Sequence, residues 1–251
     1  MGELTAIIVV IILITVSLML FFVRRIRAGV RFGLRPLRVP EQLHKQVGQA
    51  AESGGLLHLT LGRAALSGPA GPTSVVALQM LDYLAEESCR NSIPPVVTVG
   101  EGTLFVAGQD VVRHAYERTG RGQEGSVETA LLIAPQEFPM TYAAGVSTIY
   151  HQQKTTNTVM LGRFGAEIGI MTEAAVRTGT DQIIGTDDPT AMAVATATTD
   201  HVLWGEELFA ATAYLEGNAT QLASVRTQDV LRWIVVVAIV ISALLQLLGI
   251  L

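Results

Sequence analysis

The triplet Leu-Gly-Arg occurs twice in this chain, and each copy closes a short run of apolar residues. The two arginines are Arg63 and Arg163, and the first is followed by a glycine-rich loop that leads to Thr73 and Ser74. Guanidinium groups bind phosphates through paired hydrogen bonds, and the N-terminus of a helix also attracts anions. This combination predicts a binding site for a phosphorylated small molecule or a nucleotide, with hydrolysis of that molecule as one activity it would allow.

Acidic residues follow other apolar runs, and they allow two further interpretations. Glu101, Asp187 and Asp188 could together hold a hard cation, because such cations prefer clustered oxygen ligands. Alternatively, the acids stabilise helix starts and pair with the arginines, and Asp188 precedes Pro189 as an N-cap residue would. We favour this structural interpretation, since helix-end effects alone predict the pattern. The anion site and the cation site remain alternatives.

The motifs of several common catalytic and cofactor-binding sites are missing from the sequence. No lysine precedes Thr73 as it would in a P-loop, and no G-x-G-x-x-G follows the first strand. The five histidines are scattered, and Cys89 is placed late in a predicted helix rather than at a helix N-terminus, where its thiolate would be favoured. We therefore predict no catalytic residue, no metal ligand and no cofactor.

Short apolar runs that alternate with helical segments place these residues in an α/β fold. Continuous hydrophobicity is typical of strands buried on both faces, as in a parallel sheet. The predicted strands are His58–Gly62, Pro95–Gly100, Thr129–Pro135, Thr158–Gly162 and Asp181–Thr186. The pattern predicts a doubly wound, mostly parallel, Rossmann-like sheet of about five or six strands, in which the loops carrying the candidate residues converge at the carboxyl ends of the strands.

The helices between these strands are predicted from apolar stripes and end signals. One stripe includes Val75 to Leu84, and a second includes Leu104 to Tyr116, with Thr103 as its N-cap and Gly120 at its end. Weaker patterns predict helices at 138–153 and 166–177. Residues 191–198 fit a strand or a closely packed helix equally well. From Asp200 to Gly217 the pattern is helical, and a further helix over 219–228 is expected to continue into the C-terminal apolar run.

Two uncharged apolar runs lie at the ends of the chain, at Leu4–Val23 and Trp233–Leu251. Each has about the twenty residues that a helix needs to cross the hydrocarbon core of a bilayer. The first run has no basic residue before it, so an uncleaved anchor is favoured over a signal peptide. The predicted organisation is a transmembrane helix at 1–23, an arginine-rich collar at 24–40, an α/β domain at 41–228 and a second transmembrane helix at 229–251.

Arginine distribution predicts the orientation of both helices. Six of the fifteen arginines follow the first apolar run within fifteen residues, and two precede the second run. The six are Arg24, Arg25, Arg27, Arg31, Arg35 and Arg38. Because basic residues favour the cytoplasmic side, we expect a cytoplasmic central domain and both termini outside the inner membrane. The collar could also bind anionic lipid headgroups, although ordinary topology-setting charge explains it.

The composition of the central domain limits its partners. Between residues 40 and 228 it has ten basic and twenty acidic residues, so anionic lipids and nucleic acids are repelled. The single cysteine, Cys89, excludes an internal disulfide and fits a reducing compartment. We expect no nucleic-acid partner.

The order of these segments resembles a bacterial family of two-span membrane proteins with a cytoplasmic α/β domain of unknown function. The resemblance is carried by HLTLGRAALSGPAGPTS, PPVVTVGEGT, the GTDDP turn, ATTDHVLWGEELFAATAYLEG and the terminal span that follows QDVLRW. It covers nearly the whole chain and implies no activity, so it assigns no residue a catalytic role.

The sequence thus predicts a membrane-anchored, non-enzymatic scaffold or accessory subunit that associates with copies of itself or with another membrane complex. The abundance of alanine and glycine supports this hypothesis, because small residues permit close helix packing. The alternative is the phosphate-ligand site at the carboxyl ends of the strands.

Overall fold

The computed structural model of the chain describes residues 2–30, 39–122 and 130–247. The chain divides into two compact units, Met1–Pro36 with Glu216–Leu251, and Leu37–Leu215. The predicted boundary at residue 228 lies inside a helix of the first unit. Arg31, Arg35 and Arg38 of the collar lie outside the described residues.

The second unit is a doubly wound α/β domain. Its strands are β1 Leu56–Gly62, β2 Val96–Val99, β3 Ala130–Leu132, β4 Thr155–Arg163, β5 Asp181–Thr186 and β6 Val202–Trp204. Its helices are α2 Val39–Ser53, α3 Gly71–Arg90, α4 Gly102–Arg118, α5 Pro139–Gln152, α6 Ile168–Thr178, α7 Pro189–Thr198 and α8 Glu206–Glu216. All five strand pairs are parallel, in the order β3-β2-β1-β4-β5-β6. The predicted α/β fold with a parallel sheet is therefore confirmed.

Alternate residues of each strand enter two separate cores on the two faces of the sheet. Leu59 and Leu61 belong to the core shared with α2, α3, α4 and α8. Met160 and Ile184 belong to the core shared with α5, α6 and α7. The strands are thus covered on both faces, which explains why their sequences are continuously apolar instead of alternating.

The sixth strand corrects one prediction. Residues 202–204 were expected to begin a helix, but they pair with β5, and α8 begins only at Glu206. Gly205 has a positive φ of 43° and separates the two elements. Val202 and Leu203 are buried in different cores. A strand of three residues is too short for its alternation to be distinguished from the helical pattern that follows it.

Residues 191–198 form the helix α7, which resolves the alternative that the sequence left open. Pro189 begins the helix, and Asp188 caps it by accepting hydrogen bonds from the amides of Thr190 and Ala191. Ala191 and Ala195 are buried one helical turn apart. The helix α2 has no counterpart among the predicted elements.

The first unit contains two long helices, α1 Gly2–Arg27 and α9 Ala219–Leu247, which contact each other. Both are long and apolar enough to span a membrane. Most of their large apolar side chains are exposed, as in Leu13 and Ile239, which are 61% and 63% exposed. The predicted continuity of residues 219–228 with the second apolar run is confirmed, since one unbroken helix contains these residues and the described part of that run, up to Leu247.

Candidate functional site

The candidate residues converge where the strand order reverses. β1 and β4 lie side by side in the middle of the sheet, and the chain leaves β1 toward β2 on one side and β4 toward β5 on the other. Loops that diverge in this way leave a crevice at the carboxyl ends of the two strands, where doubly wound domains bind their ligands. Both Leu-Gly-Arg triplets end at this crevice.

The two triplets contact each other through their backbones. The amide of Arg63 donates to the carbonyl of Arg163 at 3.3 Å. Gly62 and Gly162 have φ values of 74° and 127°, which favour glycine. A Cβ on Gly62 would lie 2.7 Å from the Arg163 carbonyl oxygen, and a Cβ on Gly162 would collide with the carbonyl of Leu61. Glycine is therefore required for the two strand ends to approach so closely.

Arg63 forms a largely buried ion pair with Glu167. Its Nε and Nη2 lie 2.8 and 2.7 Å from Glu167 Oε1, and its Nη1 donates to the carbonyl of Gln136 at 2.6 Å. The Glu167 carboxylate also accepts the amide of Gly165 at 2.9 Å, and its side chain is only 4% exposed. The guanidinium thus binds a carboxylate and a carbonyl of the protein itself.

Arg163 is more open than Arg63. Its guanidinium lies 3.8 Å from a carboxylate oxygen of Asp187 and 3.8 Å from one of Asp188, and its side chain is 42% exposed. These distances are too long for hydrogen bonds. Arg163 therefore lies beside two negative charges but retains the freedom to contact a solute.

Asp187 lies against the N-terminus of α3. The hydroxyl of Thr73 donates to Asp187 Oδ2 at 2.8 Å. Asp187 Oδ1 is buried and has no hydrogen-bond partner among the described residues. The hydroxyl of Ser74 donates instead to the carbonyl of Ala64 at 2.9 Å and holds the loop before α3. The Asp187 carboxylate thus lies at the N-terminus of α3, where the sequence predicts a bound anion.

Glu101 has a different role from the two aspartates. It is the N-cap of α4, because its Oε2 accepts the amide of Leu104 at 2.8 Å and the hydroxyl of Thr103 at 2.5 Å. Burial opposes its ionisation, but these hydrogen bonds outweigh it and lower the pKa of Glu101. The prediction that Thr103 caps this helix is wrong, since the helix begins at Gly102 and the carboxylate of Glu101, two residues earlier, accepts the amide of Leu104.

Most of the candidate residues thus lie close together in the structure, but they interact with other residues of the protein itself. Arg163, Thr73, Asp187 and Asp188 lie together, Arg63 pairs with Glu167, and Glu101 caps a helix. In the described part of the chain, no three His, Cys, Asp or Glu side chains are grouped so that they could hold a metal ion.

A buried polar row beneath α5 was not anticipated from the sequence. Both ring nitrogens of His58 lie within hydrogen-bond distance of threonine hydroxyls, Thr158 at 2.8 Å and Thr98 at 2.9 Å. Tyr150 on α5 contacts the Thr158 hydroxyl at 3.0 Å. All four side chains are almost completely buried, and burial lowers the pKa of His58 to about 3. The imidazole is therefore neutral at physiological pH.

A second tyrosine of α5 extends this row toward the crevice. The hydroxyl of Tyr142 forms a short hydrogen bond with that of Thr60 and lies 3.4 Å from the Thr98 carbonyl oxygen. Burial raises the pKa of Tyr142 to about 12, so the phenol is neutral. The alternation of His58 and Thr60 with leucines was the available signal, because it places two polar side chains on one face of β1.

A separate polar cluster joins α2 to α3 at the surface. His44 Nδ1 lies 2.7 Å from Glu87 Oε1, and its Nε2 lies 3.1 Å from the hydroxyl of Tyr83. Burial, reinforced by the charge of Glu87, raises the pKa of Tyr83. The tyrosine is therefore not activated as a nucleophile. The cluster is best explained as a set of polar contacts that holds α2 against α3.

The fold and the site define a class of protein: a Rossmann-like α/β domain whose switch-point crevice is lined by internal ion pairs, in a chain that also has two long apolar helices. The chain belongs to the family DUF6754, a domain of unknown function, which matches residues 2–251. Comparison with curated proteins and with solved structures gives no match.

Proposed function

We propose that this protein is a membrane-anchored scaffold or accessory subunit rather than an enzyme. The observation that carries the proposal is the internal pairing of the crevice. Arg63 binds Glu167, Thr73 binds Asp187, and Asp188 caps α7, so these polar groups serve the fold rather than a ligand. A domain built in this way presents its surface, and not a reactive centre, to its partners.

The two apolar helices support attachment to a membrane. Their side chains are exposed along lengths that match the hydrocarbon core of a bilayer, and such surfaces are stable in lipid but not in water. Arg24, Arg25 and Arg27 lie in the last turn of α1. We propose that they keep this end of the helix on the cytoplasmic side of the inner membrane, with both termini outside and the acidic α/β domain in the cytoplasm.

Cysteine labelling tests this topology. The parent chain has one cysteine, Cys89, which is buried and serves as the control. A membrane-impermeant maleimide should label Glu3→Cys in intact spheroplasts, whereas it should label the exposed position Arg113→Cys only after lysis. Labelling of Arg113→Cys before lysis would contradict the cytoplasmic location. Extraction of the protein by alkaline carbonate would contradict membrane integration.

The assembly part of the proposal has its own test. Alanine and glycine are frequent in the α/β unit, and small residues allow close contacts between helices. Native mass measurement and chemical crosslinking of the full chain in mild detergent should give a species larger than the monomer, either homo-oligomeric or with a second membrane protein. Recovery of monomer alone in both measurements would refute the assembly.

Binding or hydrolysis of a phosphorylated small molecule at the crevice is the second candidate. It is favoured by the partial exposure of Arg163 and by its long distances to Asp187 and Asp188, which leave room for a stronger phosphate contact. In a thermal-shift screen with nucleotides and divalent cations, a ligand of this kind would stabilise the parent protein. The shift should be lost in Arg163→Ala and retained in Arg177→Ala, a variant of an exposed arginine on α6. The scaffold hypothesis predicts no shift with any of them.

A further inference from the structure

The helix α2 is attached to the α/β unit by a narrow apolar stripe. Among its described side chains, the buried apolar ones are Leu43, Val47 and Ala50. The neighbouring helix α3 buries eleven residues. Hydrophobic stabilisation grows with the apolar area removed from water, so the stripe holds α2 less strongly than α3 is held.

Each side of the contact between α2 and the sheet contains a buried amide side chain. Gln46 lies on the buried face of α2, three residues after Leu43, and is 3% exposed. Asn157 of β4 is 2% exposed and pairs in register with Leu57 of β1. Because Leu57 belongs to the core that contains Leu43, Asn157 lies on the sheet face toward α2, which contacts β4.

Neither amide is satisfied on its carbonyl side. The Gln46 Oε1 and Asn157 Oδ1 atoms are buried and have no hydrogen-bond partner among the described residues. A buried polar group without a partner loses the hydrogen bonds that it would make with water. Closure of α2 against the sheet therefore carries a cost that opposes its small apolar gain.

The remaining contacts of α2 are at the surface. His44, whose side chain is 48% exposed, pairs with Glu87, and Lys154 Nζ donates to the carbonyl of Ser53 at 3.0 Å in an exposed position. Exposed polar pairs contribute little to stability. They orient α2 on the domain but do not compensate for the two buried amides.

We propose that α2 is a hinged arm, which opens from the sheet as one helix while the strands and α3 to α8 stay folded. The hinge is Gly54, which has a positive φ of 57° and no neighbouring atom where a Cβ would lie. The start of α2 then moves by a distance comparable with its length of about 22 Å. α2 is the helix that follows α1 in the chain, so the opening changes the reach of this connection without unfolding the sheet. That last consequence rests on the membrane attachment proposed above, whereas the opening itself does not.

Hydrogen exchange measured by mass spectrometry on the full chain in mild detergent tests the opening. Under native conditions, the amides of α2 should exchange at least about tenfold faster than those of α3 and α6, because they require only the local opening. Dilute urea should accelerate the exchange of α2, but less steeply than that of α3, since the arm exposes only part of the buried surface. Exchange of α2 at the same rate as α3 would overturn the proposal. Fast exchange without any dependence on urea would also overturn it, because fraying of the helix would then be the cause.

Gln46→Met tests the role of the buried amide. The substitution keeps the length and helix propensity of the side chain but removes the unpaired carbonyl, so the exchange of α2 should slow by about tenfold. Gln152→Met, the same change at the exposed last residue of α5, is the matched control and should leave the exchange of α2 unchanged. Faster exchange in Gln46→Met, or equal rates in the parent and both variants, would overturn the proposal.

Reconstitution separates the hinged arm from the membrane attachment. In phosphatidylcholine vesicles the order of exchange rates should be the same as in detergent, with α2 faster than α3 and α6. Protection of α2 to the level of α3 in vesicles would overturn the arm as a property of the membrane-bound protein. Failure of the protein to integrate would contradict the membrane attachment, while the rates in detergent would still support the opening.

Discussion

Arg63 and Arg163 occupy corresponding positions in two neighbouring strands, but their environments differ. Arg63 is covered by the protein and bound to Glu167, whereas Arg163 lies in an open position near two aspartates at longer range. A buried ion pair contributes little net stability when it forms, but its disruption leaves a charge without compensation. Arg63 is thus a structural residue, and Arg163 is the one arginine of this pair that a ligand could recruit.

Replacement of Arg63 tests this distinction. Arg63→Ala should lower the free energy of unfolding by about 3 kcal/mol, because the nearly buried Glu167 carboxylate loses its partner. Adding Glu167→Gln to this variant should recover part of the loss, since it removes the uncompensated charge. Arg113→Ala, which alters an exposed pair, should change stability by less than about 0.5 kcal/mol. Urea denaturation in mild detergent measures all three, and equal losses in Arg63→Ala and Arg113→Ala would contradict the structural role.

The neutral His58 makes a specific contribution to the pH dependence of stability. Its pKa is about 3 in the folded protein and about 6.5 in the unfolded chain, so between these values the unfolded state binds the extra proton. The free energy of unfolding should therefore fall as the pH decreases below 6.5, by up to about 1.4 kcal/mol per pH unit from this residue. Urea denaturation at pH 7.5, 6.0 and 5.0 measures the slope.

A variant without the buried imidazole should lose this dependence. His58→Gln is expected to be less stable than the parent at neutral pH, because it disturbs the threonine contacts, but to show a shallower slope between pH 6.5 and 5. His114→Gln, which alters a half-exposed histidine on α4, should retain the parent slope. A parent slope in His58→Gln would mean that other groups cause the acid sensitivity.

The sequence predicted what kind of interaction these residues make, but it did not predict their partners. It predicted that acids and arginines would pair at the strand ends, and the caps and ion pairs agree with that interpretation. It did not identify Glu167 as the partner of Arg63, because that contact joins residues 104 positions apart. The partners of His58 likewise come from β2, β4 and α5. Tertiary contacts of this range depend on strand order, which one sequence does not specify.

At the scale of elements, helix ends account for the acids that first suggested a metal or anion site. Asp188 and Glu101 both accept backbone amides at the first turn of a helix. Their conformations are extended, as expected of N-cap residues. The chemistry that these side chains perform is hydrogen bonding to the chain itself.

Asp188 provides a test that separates capping from ligand binding. Asp188→Ala should lower the free energy of unfolding by about 1 kcal/mol, because two amides at the start of α7 lose their acceptor. Asp188→Asn should retain most of this stability, since the amide oxygen can still accept, although it removes the charge that a cation would need. Asp181→Ala, at an exposed position on β5, is the matched control and should have little effect. Denaturation curves that rank Asn with Ala would favour a role for the charge.

The two elements that were not predicted from the sequence, β6 and α2, have apolar patterns that are short or narrow. Five predicted strands were found, because continuous apolar runs flanked by turn signals are distinctive. β6 has only three residues and is followed at once by a helical pattern, so the two merged into one predicted helix. α2 buries Leu43, Val47 and Ala50 at helical spacing, but its polar composition concealed this narrow stripe.

At the scale of the whole molecule, the charges are segregated between the two units. The α/β unit is acidic, whereas basic residues gather beside the two apolar helices. Segregation of this kind does not improve the folding of either unit, because like charges within each unit repel. The proposed membrane attachment would account for it, since basic residues beside an apolar helix oppose translocation of that end and acidic residues contribute little to orientation.

Neutralisation of the helix-flanking charges tests this explanation. The triple variant Arg24→Gln, Arg25→Gln and Arg27→Gln removes the basic last turn of α1 and should reduce the fraction of molecules whose Glu3→Cys reporter is labelled from outside. The matched triple variant Arg90→Gln, Arg113→Gln and Arg177→Gln makes the same change in net charge at exposed positions of the α/β unit. It should leave labelling unchanged, because orientation depends on where the charges lie rather than on their sum. Equal labelling in both triple variants would mean that α9, with Arg226 and Arg232 before its apolar run, orients the chain without help from α1.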